Sequence, residues 1–400
     1  MRTILRENYL KQLFRVKGTP DIKVITGIRR AGKSFLLKDF ARILLEKYSN
    51  INLITLDLTD LENEKLLEYH ALYNHIVNSI DESKDNILII DEVQLCPKFE
   101  LAINSLHSKN KCDIYLTGSN AFMFSSALAT LFTGRHIEIH ILPFSFKEYL
   151  DYYNIINSPQ MLTIDEYALK GGLAGSYMYS AESDRILYLS TIYETILNKD
   201  LVQRNKITDL TLINRITDFL MDNVGNIVSI PKIANTLTSN QHKTNHITVG
   251  NYIKYLVDAF VVYPARKWDI KGKKYLNGGT KFYLSDTGIR FAKLGTRKID
   301  YGHIYENLVF LELKRRGYDI YVGQLYDGEV DFVTIKNGEI AYFQVSDDIS
   351  SQATLERELK PLLKIRDSYP KYLIANTGHP ATDYDGIKIL DLKDWLSSQE

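Results

Sequence analysis

Residues 27–34, GIRRAGKS, carry the residue types that bind the phosphates of a nucleotide. Gly27 and Gly32 allow backbone N–H groups to turn inward around a β-phosphate, and the following helix start adds partial positive charge. In this GxxxxGK[ST] pattern, Lys33 would reach the β- and γ-phosphates, and the Ser34 hydroxyl would ligate Mg²⁺. The nucleotide contacts expected from this pattern are Gly27, Ile28, Arg29, Arg30, Ala31, Gly32, Lys33, Ser34 and Phe35.

Two later segments end in polar residues that would complete such a site. NILIIDEVQ, residues 86–94, is an apolar strand ending in Asp91 and Glu92. Asp91 can hold the Mg²⁺ water shell, and Glu92 can orient or deprotonate an attacking water. DIYLTGSN ends in Thr117, Ser119 and Asn120, and a polar residue here would lie next to the γ-phosphate if its strand lies between the other two. Asn120 is the residue expected to position the water, and a simple turn is the alternative. These residues could also be a chance glycine turn and ordinary strand ends without a function. A nucleotide site is favoured because a strand precedes the loop and a helix follows it.

The elements around these residues alternate between strands and helices. Short apolar runs at 23–27, 51–58, 86–91 and 112–117 are separated by helical patterns at 33–48, 65–80 and 98–108. This alternation predicts a parallel sheet with helices on its faces, in a P-loop ATPase domain over residues 1–150. A fifth run, 136–142, places His136, Glu138 and His140 on one strand face. Structural histidines are favoured there over a metal pair.

Packed helices over 151–210 suggest a helical connector, and a different pattern covers 211–295. Three short helices followed by extended segments around a lysine-rich turn resemble a winged helix. The best nucleic-acid patch is a basic stretch interleaved with Trp268 and Tyr275, and it comprises Arg266, Lys267, Lys271, Lys273, Lys274 and Lys281. Of these, Lys267, Lys271, Lys273 and Lys274 are the candidate nucleic-acid residues. Cations would neutralise phosphates and aromatic rings could stack on bases. A solvated hairpin, or an interface with the next domain, explains the same residues equally well.

Bulk composition excludes several classes of protein. The chain has 49 basic and 49 acidic residues, so nucleic-acid binding would need a local patch. Its two cysteines form no CxxC pair, which argues against a disulfide scaffold or a structural zinc site. We find neither a signal-peptide pattern nor a run of about 20 apolar residues, and therefore expect a cytoplasmic protein without membrane contact.

The chain as a whole resembles a prokaryotic family of AAA-like P-loop ATPases with an appended C-terminal domain of unknown function. GIRRAGKS, LIIDEVQ, LTGSNAFM, PFSFKEYL, KFYLSDTGIR, YGHIYENLVFLELKRRG, GEVDFV and YFQVS carry the resemblance in order and spacing. It implies an ATP- and Mg²⁺-dependent ATPase of the additional-strand, catalytic-glutamate class, with strand 112–117 between the other two. It also implies that Arg135 stabilises transition-state charge, in cis or across a subunit boundary, which leaves an oligomer open.

The resemblance further implies a restriction-endonuclease-like domain over 296–400. That fold places an acidic residue on its first helix, an aspartate on one strand and (D/E)-x-K on the next. The matching positions here are Glu306, Asp331 and Gln344, the last followed by Val345 and Ser346. Serine cannot replace a lysine cation, so the sequence predicts a degenerate centre that has lost one carboxylate and its lysine.

The function these features favour is a Mg²⁺-dependent ATPase that couples nucleotide state to domain rearrangement, acting on or near DNA. The alternative is a nucleotide-gated protein-interaction switch, in which the later domains contact protein partners. An active metal-dependent nuclease is less favoured.

Overall fold

The computed structural model describes residues 4–118, 132, 134–156, 162–239, 244–276, 278–296 and 300–398. The chain divides into two compact units, Met1–Pro143 and Phe144–Glu400. No helix among these described residues is long and apolar enough to cross a membrane.

A parallel sheet forms the centre of the first unit. The elements are α1 Glu7–Arg15, β1 Ile22–Thr26, α2 Lys33–Lys47, β2 Ile51–Asp57, α3 Tyr69–Ser79, β3 Asp85–Asp91, α4 Phe99–Ser108, β4 Asp113–Thr117 and β5 His136–His140. The strand order is β2-β3-β4-β1-β5, and all the pairs are parallel. This order confirms the expected α/β P-loop fold, in which β4 separates the phosphate-loop strand from the strand that ends in Asp91.

Burial explains why these runs form central strands. All five residues of β1 are buried, as are Ile87 to Ile90 of β3, because helices cover both sheet faces. The strands are parallel, so their carboxyl ends share one edge of the sheet. The loop after β1, the acidic end of β3 and the end of β4 therefore meet there.

Ten helices among the described residues, together with a mixed sheet and a two-stranded ribbon, make up the second unit. The helices are α5 Phe146–Ile155, α6 Ile164–Lys170, α7 Glu182–Thr195 (continued by a π-helical stretch, Ile196–Gln203), α8 Leu210–Asp222, α9 Ile230–Ser239, α10 His246–Asp258, α11 Thr287–Leu294, α12 Tyr301–Arg315, α13 Gln352–Leu363 and α14 Leu392–Ser397. The strands are β6 Val262–Ala265, β7 Lys267–Asp269, β8 Lys274–Tyr275, β9 Lys281–Leu284, β10 Asp319–Gln324, β11 Glu329–Lys336, β12 Glu339–Ser346, β13 Lys371–Ala375, β14 Thr382–Tyr384 and β15 Ile387–Asp391.

Helices α8, α9 and α10 precede an antiparallel ribbon of β6 and β9. A bridge between Val228 and Thr280 extends the ribbon, which gives the element order expected of a winged helix. Ser229 accepts a hydrogen bond from the Lys232 N–H at 3.3 Å, at the start of α9.

The other sheet has eight strands in the order β14-β15-β13-β12-β11-β10-β7-β8. After α12, the chain forms the antiparallel strands β10, β11 and β12 at the centre of this sheet. After α13 it adds β13, which pairs parallel to β12. A mixed sheet with helices is therefore present in the region predicted to be restriction-endonuclease-like.

The lysine-rich hairpin lies elsewhere than the sequence suggested. Strand β7 runs parallel to β10, with Val322 opposite Lys267, so β7 and β8 extend the large sheet and are no part of the β6–β9 ribbon. The reason is the apolar alternation within the hairpin. Trp268 and Ile270 are buried in the core beside α13, where they replace water contacts with apolar packing. The alternative of an interface with the next domain therefore describes the hairpin better than a free wing.

Candidate nucleotide-binding site

The loop between β1 and α2 has the backbone form that a phosphate site requires. Gly27 has φ 142° and Gly32 has φ 96°, both in the region that favours glycine, and Arg30 has φ 68°. A Cβ atom on Gly27 would overlap the carbonyl oxygen of Ile141. The Gly32 carbonyl accepts the Leu36 N–H at 3.0 Å, so α2 starts directly from the loop.

Lys33 is already held inside this loop. Its Nζ donates to the carbonyl oxygens of Gly27 at 2.9 Å and Ile28 at 3.3 Å, and the residue is 7% exposed. Ile28 and Ala31 are buried and anchor the loop to the core. Ser34 is partly exposed, whereas Arg30 and the Phe35 ring are exposed. An ammonium placed among carbonyls can exchange them for phosphate oxygens.

The ends of β3 and β4 form a polar cluster at the same sheet edge. Thr117 donates its hydroxyl to the Asp91 carboxylate and accepts the Glu92 backbone N–H at 3.1 Å. Glu92 has φ 53°, a left-handed conformation that turns the chain immediately after the strand. Gln94 Nε2 donates to Glu92 Oε2 at 2.5 Å. Both carboxylates are thus oriented by hydrogen bonds at the place where the phosphate loop begins.

The donor set of this edge fits Mg²⁺. Mg²⁺ prefers oxygen ligands and usually takes one or two carboxylates together with substrate phosphates. Asp91 and the Ser34 hydroxyl supply such oxygens. Within the described residues no group of three or more His, Cys, Asp or Glu side chains could hold a metal alone.

The sequence-predicted catalytic residues also include Asn120 and Arg135. Asn120 lies outside the described residues. Arg135 immediately precedes β5, whose first residue, His136, pairs with Ile22 at the start of β1. The phosphate loop follows the opposite end of β1, about 13 Å along the strand. Arg135 is exposed at the far edge of its own sheet and lies away from its own phosphate loop, so a role in cis is wrong; a role across a subunit boundary stays a prediction.

Thr117 is one of the three polar residues that the sequence placed at this strand end, although Asn120 was the one predicted to be catalytic. The available signal was its position as the last residue of an apolar strand, the position that Asp91 occupies in β3.

The strand His136–His140 offers no metal site among the described residues. Thr26 donates to Glu138 Oε1 at 2.6 Å and lies 2.9 Å from His140 Nδ1, which is a structural arrangement.

The nuclease-like residues in the second unit do come together, but around a lysine. Glu306 on α12 and Asp331 on β11 both contact Lys281 Nζ, at 2.9 Å and 3.4 Å. Glu329 Oε1 lies 2.8 Å from the same atom. Lys281 comes from β9, 25 residues before Glu306 and 50 before Asp331. Its place in the predicted nucleic-acid patch is therefore wrong, since it is buried here and supplies a cation that the sequence prediction did not assign to this cluster. The (D/E)-x-K pattern could not indicate Lys281, because this lysine lies on β9 and not on the strand that carries Gln344.

Hydrogen bonds close this cluster further. Tyr283 donates to Glu306 Oε1 at 2.6 Å, and His303 Nδ1 lies 3.1 Å from Glu306 Oε2. Burial opposes ionisation of Glu306, yet Lys281, His303 and Tyr283 together hold its pKa below its usual value. Burial, with the charge of Glu306, raises the pKa of Asp331 to about 7.

Gln344 takes no part in the contacts with Lys281 that the structure describes. Its Oε1 accepts the Asp331 N–H at 3.3 Å and its Nε2 donates to Glu358 at 3.0 Å. A Cβ on Gly225 would lie 2.7 Å from His303 Nδ1 and 2.8 Å from Glu306 Oε2, so the chain after α8 covers the cluster. The arrangement is an ion-pair cluster whose centre is buried, with the Lys281 ammonium at the point where the carboxylates converge.

The lysine-rich hairpin presents only part of its charge to solvent. Lys271 and Lys274 are exposed, whereas Lys267 Nζ donates to Gln324 at 3.0 Å. Lys273 is exposed and its Nζ lies 4.8 Å from the centre of the Tyr369 ring. Trp268 is buried, so of the two predicted stacking residues only Tyr275, 64% exposed, is available to a base.

Comparisons with known proteins agree with this architecture. A family model described as an AAA domain matches residues 19–150, and one described as a domain of unknown function matches residues 161–300. An uncharacterized protein of Haemophilus influenzae is 36% identical over 397 residues and covers 98% of each chain. An uncharacterized protein of Methanocaldococcus jannaschii is 29% identical over 355 residues, covering 85% of this chain and 77% of that protein.

A solved structure with a similar fold is the Walker-type ATPase PABY2304 of Pyrococcus abyssi. It matches 73% of this chain and 96% of its own with a TM-score of 0.52, at 14% identity, so the likeness concerns the fold alone. The full-length bacterial relative, the AAA domain match and the strand order lead to one conclusion. The chain belongs to the prokaryotic family of AAA-like P-loop ATPases that carry a C-terminal domain of unknown function.

Proposed function

We propose that the first unit binds ATP with Mg²⁺ and hydrolyses it. The observation that carries the proposal is the convergence of the loop, Asp91, Glu92 and Thr117 at one sheet edge. Bound Mg²⁺ would neutralise charge on the phosphates. Loop amides and Lys33 bind and orient the phosphates, and Asp91 and the Ser34 hydroxyl would hold the Mg²⁺ ion. Glu92 accepts the proton of the attacking water.

The test is ATP turnover with Mg²⁺ by the full chain and three variants. Lys33→Ala is expected to lose nucleotide binding. Glu92→Gln is expected to keep binding while turnover falls by about a hundredfold or more, because the amide cannot take a proton. Glu64→Gln changes an exposed glutamate of the same unit and serves as the matched control. Turnover that survives in both Lys33→Ala and Glu92→Gln, or no Mg²⁺-dependent turnover in the wild type, would rule the proposal out.

We also propose that nucleotide state changes the arrangement of the second unit and that this unit binds nucleic acid through the β7–β8 hairpin. Exposed Lys271 and Lys274 and the exposed Tyr275 ring support this proposal, since they combine cations with a stacking surface. Salt-sensitive binding to DNA is the measurement that tests it.

A nucleotide-gated protein-interaction switch is the second candidate. The zero net charge of the chain favours it, as does the hairpin, which is built into a packed sheet. Pull-downs with and without a non-hydrolysable ATP analogue, alongside DNA titration, separate the two: nucleotide-dependent protein capture without DNA binding supports the switch.

Nuclease activity has less support. Lys281 lies within 3.4 Å of three carboxylates, and Gly225 closes over the cluster, so a metal would have to displace a buried ammonium. A cleavage assay with Mg²⁺ or Mn²⁺ and Asp331→Ala as the control decides the matter.

A further inference from the structure

We propose that Arg6 is a positioning residue of the nucleotide site. It holds the Ala31–Gly32 peptide of the phosphate loop so that the Gly32 N–H faces a bound phosphate. The inference rests on the proposed nucleotide binding and concerns a residue outside the GxxxxGK[ST] pattern. Arg6 precedes α1, about 25 positions before the peptide that it holds.

The contacts of Arg6 connect the phosphate loop to the end of the first unit. Nη1 donates to the Ala31 carbonyl oxygen at 2.9 Å. Nη2 donates to the carbonyl oxygens of Leu142 at 2.9 Å and Pro143 at 3.4 Å. Arg6 is only 4% exposed, and its guanidinium lies 4.6 Å from the centre of the Tyr9 ring. A planar guanidinium can serve two backbone segments at once because its donors are fixed in a fork.

Peptide geometry gives this contact its consequence for the phosphate. A trans peptide is planar, and its C=O and N–H point in opposite directions. With the Ala31 carbonyl turned toward Arg6, the N–H of Gly32 must point away from Arg6, toward the other side of the loop. Arg30 and Gly32 have positive φ, and such alternation turns successive amides into an anion-binding concavity. Arg6 therefore fixes one of the amide donors on which the phosphate depends.

The phosphate loop also packs against residues 141–143, the segment that Arg6 contacts, at a second point. Gly27 approaches Ile141 so closely that a Cβ atom would overlap the Ile141 carbonyl. Beside Arg6, the Tyr9 hydroxyl accepts the Leu142 N–H at 3.1 Å, a hydrogen bond to the same segment and not to the loop. Tyr9 thus supports the same segment as Arg6, which makes it a matched control for a purely structural effect.

The experiment measures binding of N-methylanthraniloyl-labelled ADP and of a labelled non-hydrolysable ATP analogue to the full chain. Arg6→Met keeps the length and apolar packing but removes the donors. Both dissociation constants are expected to rise about tenfold or more, the cost of a lost charged hydrogen bond to a buried carbonyl. Since the amide binds phosphate in ground and transition states alike, KM is expected to rise while kcat at saturating ATP changes less than about threefold.

Tyr9→Phe is expected to lower the thermal midpoint without changing either dissociation constant. Nucleotide affinity equal to wild type in Arg6→Met, or an equal loss of affinity in Tyr9→Phe, would overturn the positioning role. If Arg6→Met does not fold, Arg6→Lys decides: an ammonium cannot bridge both segments as the fork does. Weaker binding by Arg6→Lys at an unchanged midpoint supports the role, and wild-type affinity overturns it. A wild-type chain that binds no nucleotide would instead overturn the proposed function itself.

Discussion

Thr117 shows what one side chain can do at the end of a strand. Its hydroxyl donates to Asp91 and accepts from the Glu92 backbone, so it orients both acidic residues. It can do so because β4 pairs directly with β3, which places the two strand ends side by side. A hydroxyl that connects the two carboxylate-bearing positions is therefore a candidate for positioning the attacking water of the proposed reaction.

Asp286 explains the KFYLSDTGIR motif, which carries the family resemblance but has no chemical role in the proposed reaction. Its carboxylate accepts the N–H groups of Gly172 at 2.6 Å, Leu173 at 3.1 Å and Ile289 at 3.0 Å. A Cβ atom on Gly171 would overlap this carboxylate. The Gly-Gly pair and the Ser-Asp-Thr-Gly segment are therefore two halves of one buried hydrogen-bonding arrangement in the second unit.

This arrangement predicts a pH-dependent stability. Burial raises the pKa of Asp286 to about 6, although the backbone N–H groups oppose the shift. The folded state then binds the proton more tightly than the unfolded state, whose pKa is about 3.9. The contribution of Asp286 to the free energy of unfolding is therefore greatest below about pH 4. It falls by about 3 kcal/mol as pH rises to about 6 and is level above that.

Urea unfolding between pH 4 and 7, followed by tryptophan fluorescence, measures this effect. Both tryptophans, Trp268 and Trp395, lie in the second unit, so the signal reports that unit alone. Asp286→Asn is expected to be less stable throughout, because its amide N–H₂ faces backbone donors. It is also expected to reduce the slope between pH 4 and 6, of which Asp331 in the same unit contributes the rest because its pKa is raised to about 7. An unchanged slope in Asp286→Asn would assign the effect to other groups.

At the level of elements, Lys281 connects the β6–β9 ribbon to the large sheet. The lysine lies on β9, while its carboxylate partners lie on α12 and β11. Burial opposes its charge, but the three carboxylates together raise the pKa of Lys281 above its usual value. A cluster that resembles a metal centre in sequence thus packs one part of the unit against another.

Removing this lysine is expected to destabilise the second unit strongly. Lys281→Met leaves Glu306 and Asp331 buried without their cation, which costs about 3–5 kcal/mol in the free energy of unfolding. Tryptophan-detected urea unfolding measures the loss. Adding Asp331→Asn is expected to recover part of it, since one buried carboxylate is then neutral.

The matched control is Lys364→Met, which breaks the exposed ion pair with Asp327 at 3.0 Å. An exposed pair contributes about 0–1 kcal/mol, so the control is expected to lie close to wild type. Equal losses in Lys281→Met and Lys364→Met would show that the cluster does not hold the two elements together.

For the whole molecule, the zero net charge determines how nucleic-acid binding can arise. With 49 basic and 49 acidic residues, attraction to phosphate must be local. The double change Lys271→Glu and Lys274→Glu is expected to weaken DNA binding. It should also reduce the slope of log affinity against log salt by about 2, one for each lost phosphate contact. DNA titrations at several salt concentrations measure both quantities.

An equal charge change elsewhere in the unit separates local from overall electrostatics. Lys388→Glu with Lys393→Glu alters two other exposed lysines. This control is expected to retain most of the binding and the wild-type salt slope. The hairpin proposal fails if both doubles weaken binding alike, or if the wild type shows no salt-sensitive binding.

The sequence alone determined the local parts of this protein. GIRRAGKS, the acidic strand end and the alternation of apolar runs predicted the loop, the α/β unit and the sheet edge where they meet. Each of these depends on neighbours in the chain: glycine φ freedom, strand burial and the helix that follows. The family resemblance indicated Glu306 and Asp331, because each lies at a recognisable place within its own element.

Only the tertiary structure decided which distant residues share a site. Arg6 reaches Ala31, Lys281 reaches Glu306 and Asp331, and Thr117 reaches Asp91 across chain separations that no spacing rule encodes. It also moved the lysine-rich hairpin from a wing to a sheet edge and put Arg135 at the end of the sheet away from the phosphate loop. The physical reason is that a strand edge and a buried charge each need a partner to satisfy their hydrogen bonds or charge. Those partners come from distant parts of the chain and are chosen only when the elements pack together.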